Sequence, residues 1–355
     1  MSRKQGIALL FLALGLVAGG TRCGDGASSG DTTGPGDTTG PGDGGESVQP
    51  GELYVDIYDP EKACDGTTLF ADLRDAQNPR IVEVDMQGAV LWEYVIPEDL
   101  KEYHDPGMDV ELLPSGNILF VLPRYGIHEI DREGNLVWSH VDPETSHDAD
   151  RLTSGNTLYV FGAGDKKNDD HAKEVTPAGE TVWSWSAGGE YDVAPYDTIS
   201  DAGWTHANAA VRLANGNTLV SLRNFKLTVE VNGGGAIVWS YDWSALGCEP
   251  HEPEIVPGNT LLICLHRPTP HQVVEIDRGT GAIVWQYYRD YLRTTRDSDR
   301  LSNGNTLIVG VMSDTEDSVI FEVTQTGEIV WQLKIKDAPT GTRPGHFYKA
   351  QRIES

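Results

Sequence analysis

Positive charge is scarce in this 355-residue chain. Lys and Arg together number 27 against 54 Asp and Glu, which gives a formal net charge of -27. Nucleic-acid binding and adsorption to anionic lipid headgroups both need clustered basic side chains. We therefore exclude nucleic acid and a bare lipid surface as partners.

A long hydrophobic run is also missing. The longest apolar stretch, 7–18, is too short for a comfortable membrane span. It follows Arg3 and Lys4 and precedes Cys23, an arrangement typical of a bacterial export signal. We predict an export signal of the lipoprotein type over 1–23, with Cys23 lipidated and plain secretion as the alternative. The protein is then exported, periplasmic or at the cell surface, and contacts the membrane only through that lipid.

Cysteine is the third scarcity. Besides Cys23, only Cys64, Cys248 and Cys264 are present. An exported protein has room for one disulfide among these three, and one thiol is then left over. Cys248 pairing with Cys264, Cys248 pairing with Cys64, and buried free thiols all stay open at this point.

Apolar side chains are almost absent from 24–50, where Gly-Asp-Thr-Thr-Gly-Pro occurs twice in succession. Such a segment cannot bury enough apolar surface to fold. We predict a disordered tether over 24–50 and a folded domain over 51–355.

Gly and Trp are abundant in the folded part, and they recur at a regular period. Gly-Asn pairs, each followed by an apolar run, occur at 116/117, 155/156, 216/217, 258/259 and 304/305. Six recurrent tryptophans, separated by 46, 45, 56, 46 and 46 residues, are Trp92, Trp138, Trp183, Trp239, Trp285 and Trp331. A fixed period of this length indicates a repeat architecture. The first of the six units is degenerate, because it has no Gly-Asn pair.

Four short strands are predicted in each unit. In the fourth unit they are Ala209–Leu213, Leu219–Leu222, Leu227–Val231 and Ile237–Tyr241, with turn residues between them. No stretch shows a helical stripe. Four-stranded units of this length indicate an all-β fold, a six-bladed β-propeller. The segment Phe347–Ile353 has the pattern of a first strand without its hairpin, so we expect it to complete the first blade and close the ring.

Histidine and arginine collect at one position of the repeat. In a propeller the first strand of each blade lines the central channel, so residues just before the Gly-Asn hairpins gather at one mouth. That position and the end of strand two in the fourth blade hold His104, His147, His206, Asn208, Arg223, His251 and Arg296. His346 precedes the closing strand in the same way. We predict the ligand site of the protein at this mouth.

Other repeated residues have a structural interpretation. The sequence Asp148-Ala149-Asp150-Arg151 and its counterpart Asp297-Ser298-Asp299-Arg300 are typical of first strands whose polar side chains bond neighbouring backbone. The recurrent tryptophans are expected to pack the blades. In the one inserted loop, Tyr191, Tyr196 and the adjacent Trp204 either stack on a substrate ring or pack within the loop.

At its His and Arg positions the chain resembles the bacterial arylsulfate sulfotransferase family. The matching segments are Ser146-His147-Asp148, Trp204-Thr205-His206-Ala207-Asn208 with Ser221-Leu222-Arg223-Asn224, His251 ahead of Pro257-Gly258-Asn259-Thr260-Leu261, and 296–307. The His-x-Asn motif with Arg223 seventeen residues after the His is the most specific of them. The resemblance covers 52–355. It implies a six-bladed propeller that moves a sulfuryl group from an aryl sulfate to a phenol without phosphoadenosine phosphosulfate.

The resemblance also implies roles for individual residues. His251 is the nucleophile that carries a transient sulfohistidine, while His147, His206 and Arg223 hold the sulfate oxygens. Asn208 is a supporting donor. Such a set suits sulfuryl transfer, because negative charge spreads over three oxygens and a neutral imidazole is a competent nucleophile.

Two more residues, Arg296 and His104, are predicted from their positions to bind substrate. No metal and no organic cofactor is implied, and the partners are a small aryl sulfate and a phenol. Larger family members carry an N-terminal β-sandwich that contributes to dimers. We expect no such domain here, which leaves the oligomeric state open.

Three alternatives remain. The main one is a non-catalytic surface lipoprotein propeller that binds a ligand or a protein partner, since fold alone does not decide function. A zinc site built from His147, His206 and His251 is the second, although the nearby Arg223 disfavours a cation. A quinone-cofactor dehydrogenase shares Trp-marked blades, but such enzymes are usually eight-bladed and larger.

Overall fold

A computed structural model describes the chain over 51–105, 107–266, 272–315, 317–335 and 347–355. The predicted export signal, the lipidation of Cys23, the tether and His346 lie outside these residues. Among the residues described, no helix has the length and apolar character needed to cross a membrane.

Six antiparallel sheets form the blades of a ring, so the predicted six-bladed β-propeller is confirmed. Blade one holds β2 (Gly66–Asp72), β3 (Arg80–Val84) and β4 (Val90–Val95). Blade two holds β5 (Val110–Leu112), β6 (Ile118–Leu122), β7 (Gly126–Ile130) and β8 (Leu136–Val141). Blade three holds β9 (Ala149–Arg151), β10 (Thr157–Val160), β11 (Ala172–Val175) and β12 (Thr181–Trp185).

The second half of the ring repeats the pattern. Blade four holds β13 (Ala207–Arg212), β14 (Thr218–Leu222), β15 (Leu227–Val231) and β16 (Ile237–Asp242). Blade five holds β17 (Glu249–Val256), β18 (Thr260–His266), β19 (Gln272–Asp277) and β20 (Ile283–Tyr288). Blade six holds β21 (Leu292–Arg300), β22 (Thr306–Met312), β23 (Ser318–Val323) and β24 (Ile329–Ile335). The described helices are short, namely α1 (Gly188–Tyr191) and single 3-10 turns at Lys101–Tyr103, Arg223–Phe225 and Trp243–Ala245.

The two ends of the domain close the ring. The last strand, β25 (Ala350–Glu354), pairs with β2 and becomes the inner strand of blade one, as predicted. The first strand, β1 (Leu53–Tyr58), was not predicted. It pairs with β24 as a fifth, outer strand of blade six, where Val330 is 0% exposed, while Val284 on the uncovered outer strand β20 is 55% exposed. Both ends of the domain are therefore fixed in sheets.

An arginine clamp joins each blade to the next. A Glu on strand three lies opposite the recurrent Trp on strand four, as Glu129 does opposite Trp138. Arg151 from the following blade places its Nη2 2.9 Å from Glu129 Oε2 and its guanidinium 4.6 Å from the Trp138 ring centre. All six interfaces have this trio, in the sets Glu83–Trp92–Arg132, Glu129–Trp138–Arg151, Glu174–Trp183–Arg212, Glu230–Trp239–Arg278, Glu275–Trp285–Arg300 and Glu322–Trp331–Arg352. The last set joins blade six to the closing strand β25.

The cysteines do not join the blades. Cys64, Cys248 and Cys264 are free and buried. Of the three possibilities that the sequence leaves open, the structure has the free thiols.

Carboxylates from the first strands fill the central channel and bond the neighbouring blade. Asp148 Oδ2 accepts from the backbone N–H of Ala210 at 2.7 Å, and Asp297 Oδ2 accepts from that of Ala350 at 2.9 Å. This is the framework role predicted for both aspartates. Lys349 lies among these carboxylates, with its Nζ 2.8 Å from Glu252 Oε2 and also paired with Asp148. Acidic side chains crowd around this lysine and repel one another.

Removal of one channel carboxylate should make stability less sensitive to pH. Burial raises the pKa of Glu254 to about 7, and that of Glu111 likewise to about 7. Each group then holds a proton in the folded chain that the unfolded chain has already released, so stability falls as the pH rises through this window. Glu254→Gln keeps an acceptor for the Arg300 N–H at 2.8 Å but cannot ionise.

We expect the free energy of unfolding of Glu254→Gln, relative to the wild type, to rise by roughly 1–3 kcal/mol between about pH 5 and pH 8. Urea unfolding at both pH values measures this difference, and Glu111→Gln should behave in the same way. A difference that stays constant with pH would contradict the assignment of these buried carboxyls.

Candidate functional site

One mouth of the channel holds a small cavity of about 160 Å³. Its lining residues are Asp105, Gly107, His147, His206, Asn208, Arg223, His251, His266, Arg296 and Tyr348. Six of the seven residues predicted from sequence are among them. The seventh, His104, lies outside the lining, and its Nδ1 contacts the carbonyl oxygen of Lys101 instead.

β-Bulges turn three of these side chains toward the cavity. The register of β13 shifts between Ala207 and Ala209, at Asn208. That of β17 shifts between Pro250 and Pro253, at His251, and that of β21 shifts at Arg296. A bulge inserts an unpaired residue and re-aims its side chain, and bulges are common beside active sites. The first strands are therefore irregular at the residues that form the cavity.

The hydrogen bonds of His206 fix its tautomer. Its Nδ1 is 3.0 Å from the carbonyl oxygen of Ala202, so this nitrogen carries the proton and donates. Its Nε2 is 2.9 Å from Nη1 of Arg223, which can only donate, so Nε2 accepts. Burial, followed by the positive charge of Arg223, lowers the pKa of His206 to about 4. His206 is neutral at neutral pH.

One ring nitrogen of His147 is also engaged in a hydrogen bond. Its Nε2 is 3.3 Å from Nε2 of His206, which has no proton, so His147 donates there. Its Nδ1 faces Gly107, where a Cβ would lie only 2.1 Å away. Burial first, and then His206 and Arg223, lower the pKa of His147 well below its ordinary value.

His251 leaves its Nε2 without a hydrogen-bond partner among the described residues, as His147 does its Nδ1. His251 is 5% exposed, and this Nε2 is buried. Burial first, and then His266 and Arg223, lower the pKa of His251 well below its ordinary value. The site therefore contains a neutral imidazole, that of His251, whose Nε2 makes no hydrogen bond within the described residues.

Two guanidinium groups give the cavity its positive charge. Arg223 is oriented by Glu249, whose Oε2 accepts from Nε at 3.0 Å. Arg296 lies over the ring of Tyr348, at 5.4 Å from the ring centre. Within the described ranges, no carboxylate forms an ion pair with Arg296. Asn208 donates from Nδ2 to the carbonyl oxygen of Pro250 at 3.2 Å, which holds its amide against the neighbouring blade. The arrangement is suited to an oxyanion.

Four lining residues were missed in the sequence. Tyr348 precedes the closing strand, and its ring is 5.5 Å from that of His147. His266 ends β18, opposite Glu249, and its ring is edge-on to His251 at 5.3 Å. The other two, Asp105 and Gly107, precede β5. A systematic look at the end of every second strand, and not only that of the fourth blade, would have found His266.

An arylsulfotransferase (ASST) family model matches residues 55–244, which is just over half of the chain. The chain belongs to the arylsulfotransferase family. The matched region contains His147, His206 and Arg223, while His251 lies beyond its end. A second family model, described as outer membrane protein assembly factor BamB, matches residues 168–354. The chain shares the propeller repeat with that family as well.

Solved structures support the fold. A protein of unknown function from Bacteroides caccae superposes with a TM-score of 0.59 at 18% identity, over 81% of this chain and 98% of that one. Virginiamycin B lyase from Staphylococcus aureus gives a TM-score of 0.52 at 11% identity, over 85% of this chain and 88% of that one. At such identities the likeness shows the propeller fold alone. No curated protein matches the chain significantly.

In this arylsulfotransferase-family propeller, the inserted loop packs on itself and on blade four. The ring of Tyr196 lies 5.1 Å from that of Tyr191 and 4.7 Å from that of Phe225. Trp204 is 3% exposed and lies 5.0 Å from Phe225. These aromatic rings are not part of the cavity lining, so they pack within the loop and do not stack on a ligand there.

The zinc alternative is not supported by the geometry. Nε2 of His206 accepts from Arg223, and a cation at that nitrogen would meet the guanidinium charge. Over the described part of the chain, no group of three or more His, Cys, Asp or Glu side chains is arranged to hold a metal ion.

Behind the cavity, Asp165 holds the backbone of His206 in an uncommon conformation. His206 has a φ of +48°, in the left-handed region that non-glycine residues seldom adopt. Asp165 Oδ2 accepts from the N–H of Thr205 at 2.9 Å and from its Oγ1 at 2.6 Å, while Oδ1 accepts from the N–H of His206 at 3.2 Å. Nε2 of the buried His171 lies 3.2 Å from Oδ2. Asp165 is thus a positioning residue for His206.

Asp165→Asn should weaken the binding of inorganic sulfate to the cavity about tenfold, equivalent to ~1.4 kcal/mol. The amide NH₂ would face an N–H donor, so the turn that sets His206 would move. Loss of the negative charge of Asp165 would by itself strengthen anion binding. Weaker binding in Asp165→Asn would therefore have to come from movement of the turn that sets His206. Calorimetric titration measures the affinity. The control is Asp169→Asn in the same loop, where Asp169 accepts from the N–H of Lys166. Unchanged affinity in Asp165→Asn would contradict the positioning role.

Proposed function

We propose that the protein transfers a sulfuryl group from an aryl sulfate to a phenol through a sulfohistidine on His251. The observation that carries the proposal is the unused, buried Nε2 of His251 beside two arginines. Membership of the arylsulfotransferase family supports it. The chemistry uses protein side chains only and needs no phosphoadenosine phosphosulfate.

The cavity suits the sulfate end of an aryl sulfate. At about 160 Å³ it is smaller than a typical pocket for a whole drug-sized ligand, so the aromatic ring would lie toward the open mouth. Arg223 and Arg296 supply donors for the sulfate oxygens. These donors are held in place before the substrate arrives, which is the condition for stabilising a transition state in which charge spreads over three oxygens.

The neutral state of His251 suits a nucleophile. The low pKa of a buried imidazole keeps its lone pair available at neutral pH. In the first half-reaction the Nε2–S bond forms as the S–O bond to the first phenol breaks, and the electron pair leaves with the phenolate. In the second, the oxygen of the acceptor phenol attacks sulfur, and the Nε2–S bond breaks. Transfer in two steps predicts ping-pong kinetics.

The acidic side chains around His251 do not oppose an anion there. Glu249 is paired with Arg223, and Glu252 with Lys349. Glu254 accepts from the backbone of Arg300. Each of these three carboxyl groups, which flank His251 in the sequence, therefore has a cation or a backbone N–H as its partner.

His251→Gln should lower the phenol-dependent release of 4-nitrophenolate from 4-nitrophenyl sulfate about 10³-fold, or ~4 kcal/mol of transition-state stabilisation. The assay uses the folded domain from about residue 50, with and without phenol. His140→Gln, on an outer strand with its ring against Tyr159, is the matched control and should keep wild-type rates.

Acceptor-dependent release that survives in His251→Gln would remove the nucleophile assignment. A wild-type protein with no release from any of a panel of aryl sulfates would contradict the proposed activity. The propeller would then be a ligand-binding or partner-binding protein.

A further inference from the structure

The proposed reaction needs a base that the sulfate-holding residues cannot supply. The acceptor phenol must lose its proton as its oxygen attacks sulfur. His206 uses both ring nitrogens, one toward the carbonyl of Ala202 and one toward Arg223. His147 donates from Nε2 to His206, and its Nδ1 is closed off by Gly107. His251 is occupied by the sulfuryl group at that stage.

The other titratable groups of the lining are unsuited to accept this proton. Burial raises the pKa of Tyr348 far above its ordinary value, so its hydroxyl stays protonated. The oxygens of Asp105 are already engaged, since they accept from the N–H of Gly107 at 3.3 Å and from Arg124 Nη2 at 3.4 Å.

His266 lies on the cavity wall, and its position suits the task. It ends β18 next to His251, and 21% of its side chain is accessible. Its ring meets that of His251 edge-on, with centres 5.3 Å apart. Its Nδ1 lies 3.7 Å from Oε2 of Glu249, a carboxylate that stabilises the imidazolium once the proton has arrived. Because Glu249 also orients Arg223, one carboxylate serves both the base and the sulfate-binding arginine.

We propose that His266, backed by Glu249, is the acid–base residue that takes the proton of the acceptor phenol and returns one to a poor leaving group. This inference rests on the proposed sulfuryl transfer. In the second half-reaction the O–S bond forms, and the Nε2–S bond of His251 breaks with its electron pair returning to nitrogen. The phenolic proton passes to the neutral ring of His266. In the first half-reaction the protonated ring donates to the departing phenolate oxygen.

The two half-reactions separate this role from that of the nucleophile. 4-Nitrophenolate is a good leaving group that needs no proton, so His266→Gln should still release one equivalent per site in a rapid burst. Turnover with phenol as acceptor should fall about 100-fold or more. With an acceptor that is already ionised at the assay pH, no proton has to be removed. The ratio of the wild-type turnover rate to that of His266→Gln should then be smaller. Stopped-flow absorbance measures both phases, and His140→Gln is the control with both phases intact.

The outcomes are distinguishable. No burst from the wild type would overturn the proposed function and this inference with it. A wild-type burst together with unchanged phenol turnover in His266→Gln would overturn the inference alone. A burst lost in parallel with turnover would make His266 a binding residue and would also overturn it. If His266→Gln does not fold, His266→Ala with added imidazole replaces it. Recovery of phenol turnover supports the role of His266, and no recovery contradicts it.

Discussion

The ring depends on one repeated interaction, in which an arginine of each blade is held by a glutamate and a tryptophan of the preceding blade. A guanidinium is well suited to this position, since its planar face lies on the indole while its N–H groups meet the carboxylate. The clamp at Arg352 is the sixth and lies on the closing strand, so the interaction that joins neighbours also closes the circle. With the blades fixed in this way, the inner strands converge, and their bulges place side chains from distant parts of the sequence around one small cavity.

The electrostatics of the site follow from its burial. The chain has twice as many acidic as basic residues, yet it places Arg223 and Arg296 at this mouth and Lys349 among the channel carboxylates. The same burial that makes these charges effective keeps the imidazoles neutral. The histidines of the cavity thus differ in their surroundings, because His206 uses both ring nitrogens, whereas Nε2 of His251 makes no hydrogen bond within the described residues.

The repeat made the fold predictable, and the local signals explain which elements were found. The Gly-Asn turns and tryptophans marked the hairpins, and in the fourth blade the predicted strands fall within two residues of those observed at each end. Strand β1 was missed because it carries neither mark. Its place is defined only by the open edge of β24, which is far away in sequence.

The residues that line the cavity were predictable where they lie just before a Gly-Asn hairpin. His104 satisfies the same rule, but its segment forms a 3-10 turn that ties its ring to Lys101, which no spacing could indicate. Asp165 acts through three-dimensional contacts with His206, and no sequence motif marks such contacts. His266 ends a second strand, as Arg223 follows one, but its contact with His251 is defined only in the folded chain. The tautomers of His206 and His147 likewise depend on distances that only the folded chain defines.

The proposed reaction depends on covalent sulfation of His251, and direct location of the sulfuryl group tests this step best. The domain would be mixed with an aryl sulfate in the absence of acceptor, quenched in alkali and digested, and its peptides sequenced by mass spectrometry. One sulfuryl group is expected on His251, and it should disappear when phenol is added before the quench. An adduct on His147 or His206, or an adduct that phenol does not remove, would contradict the proposed step.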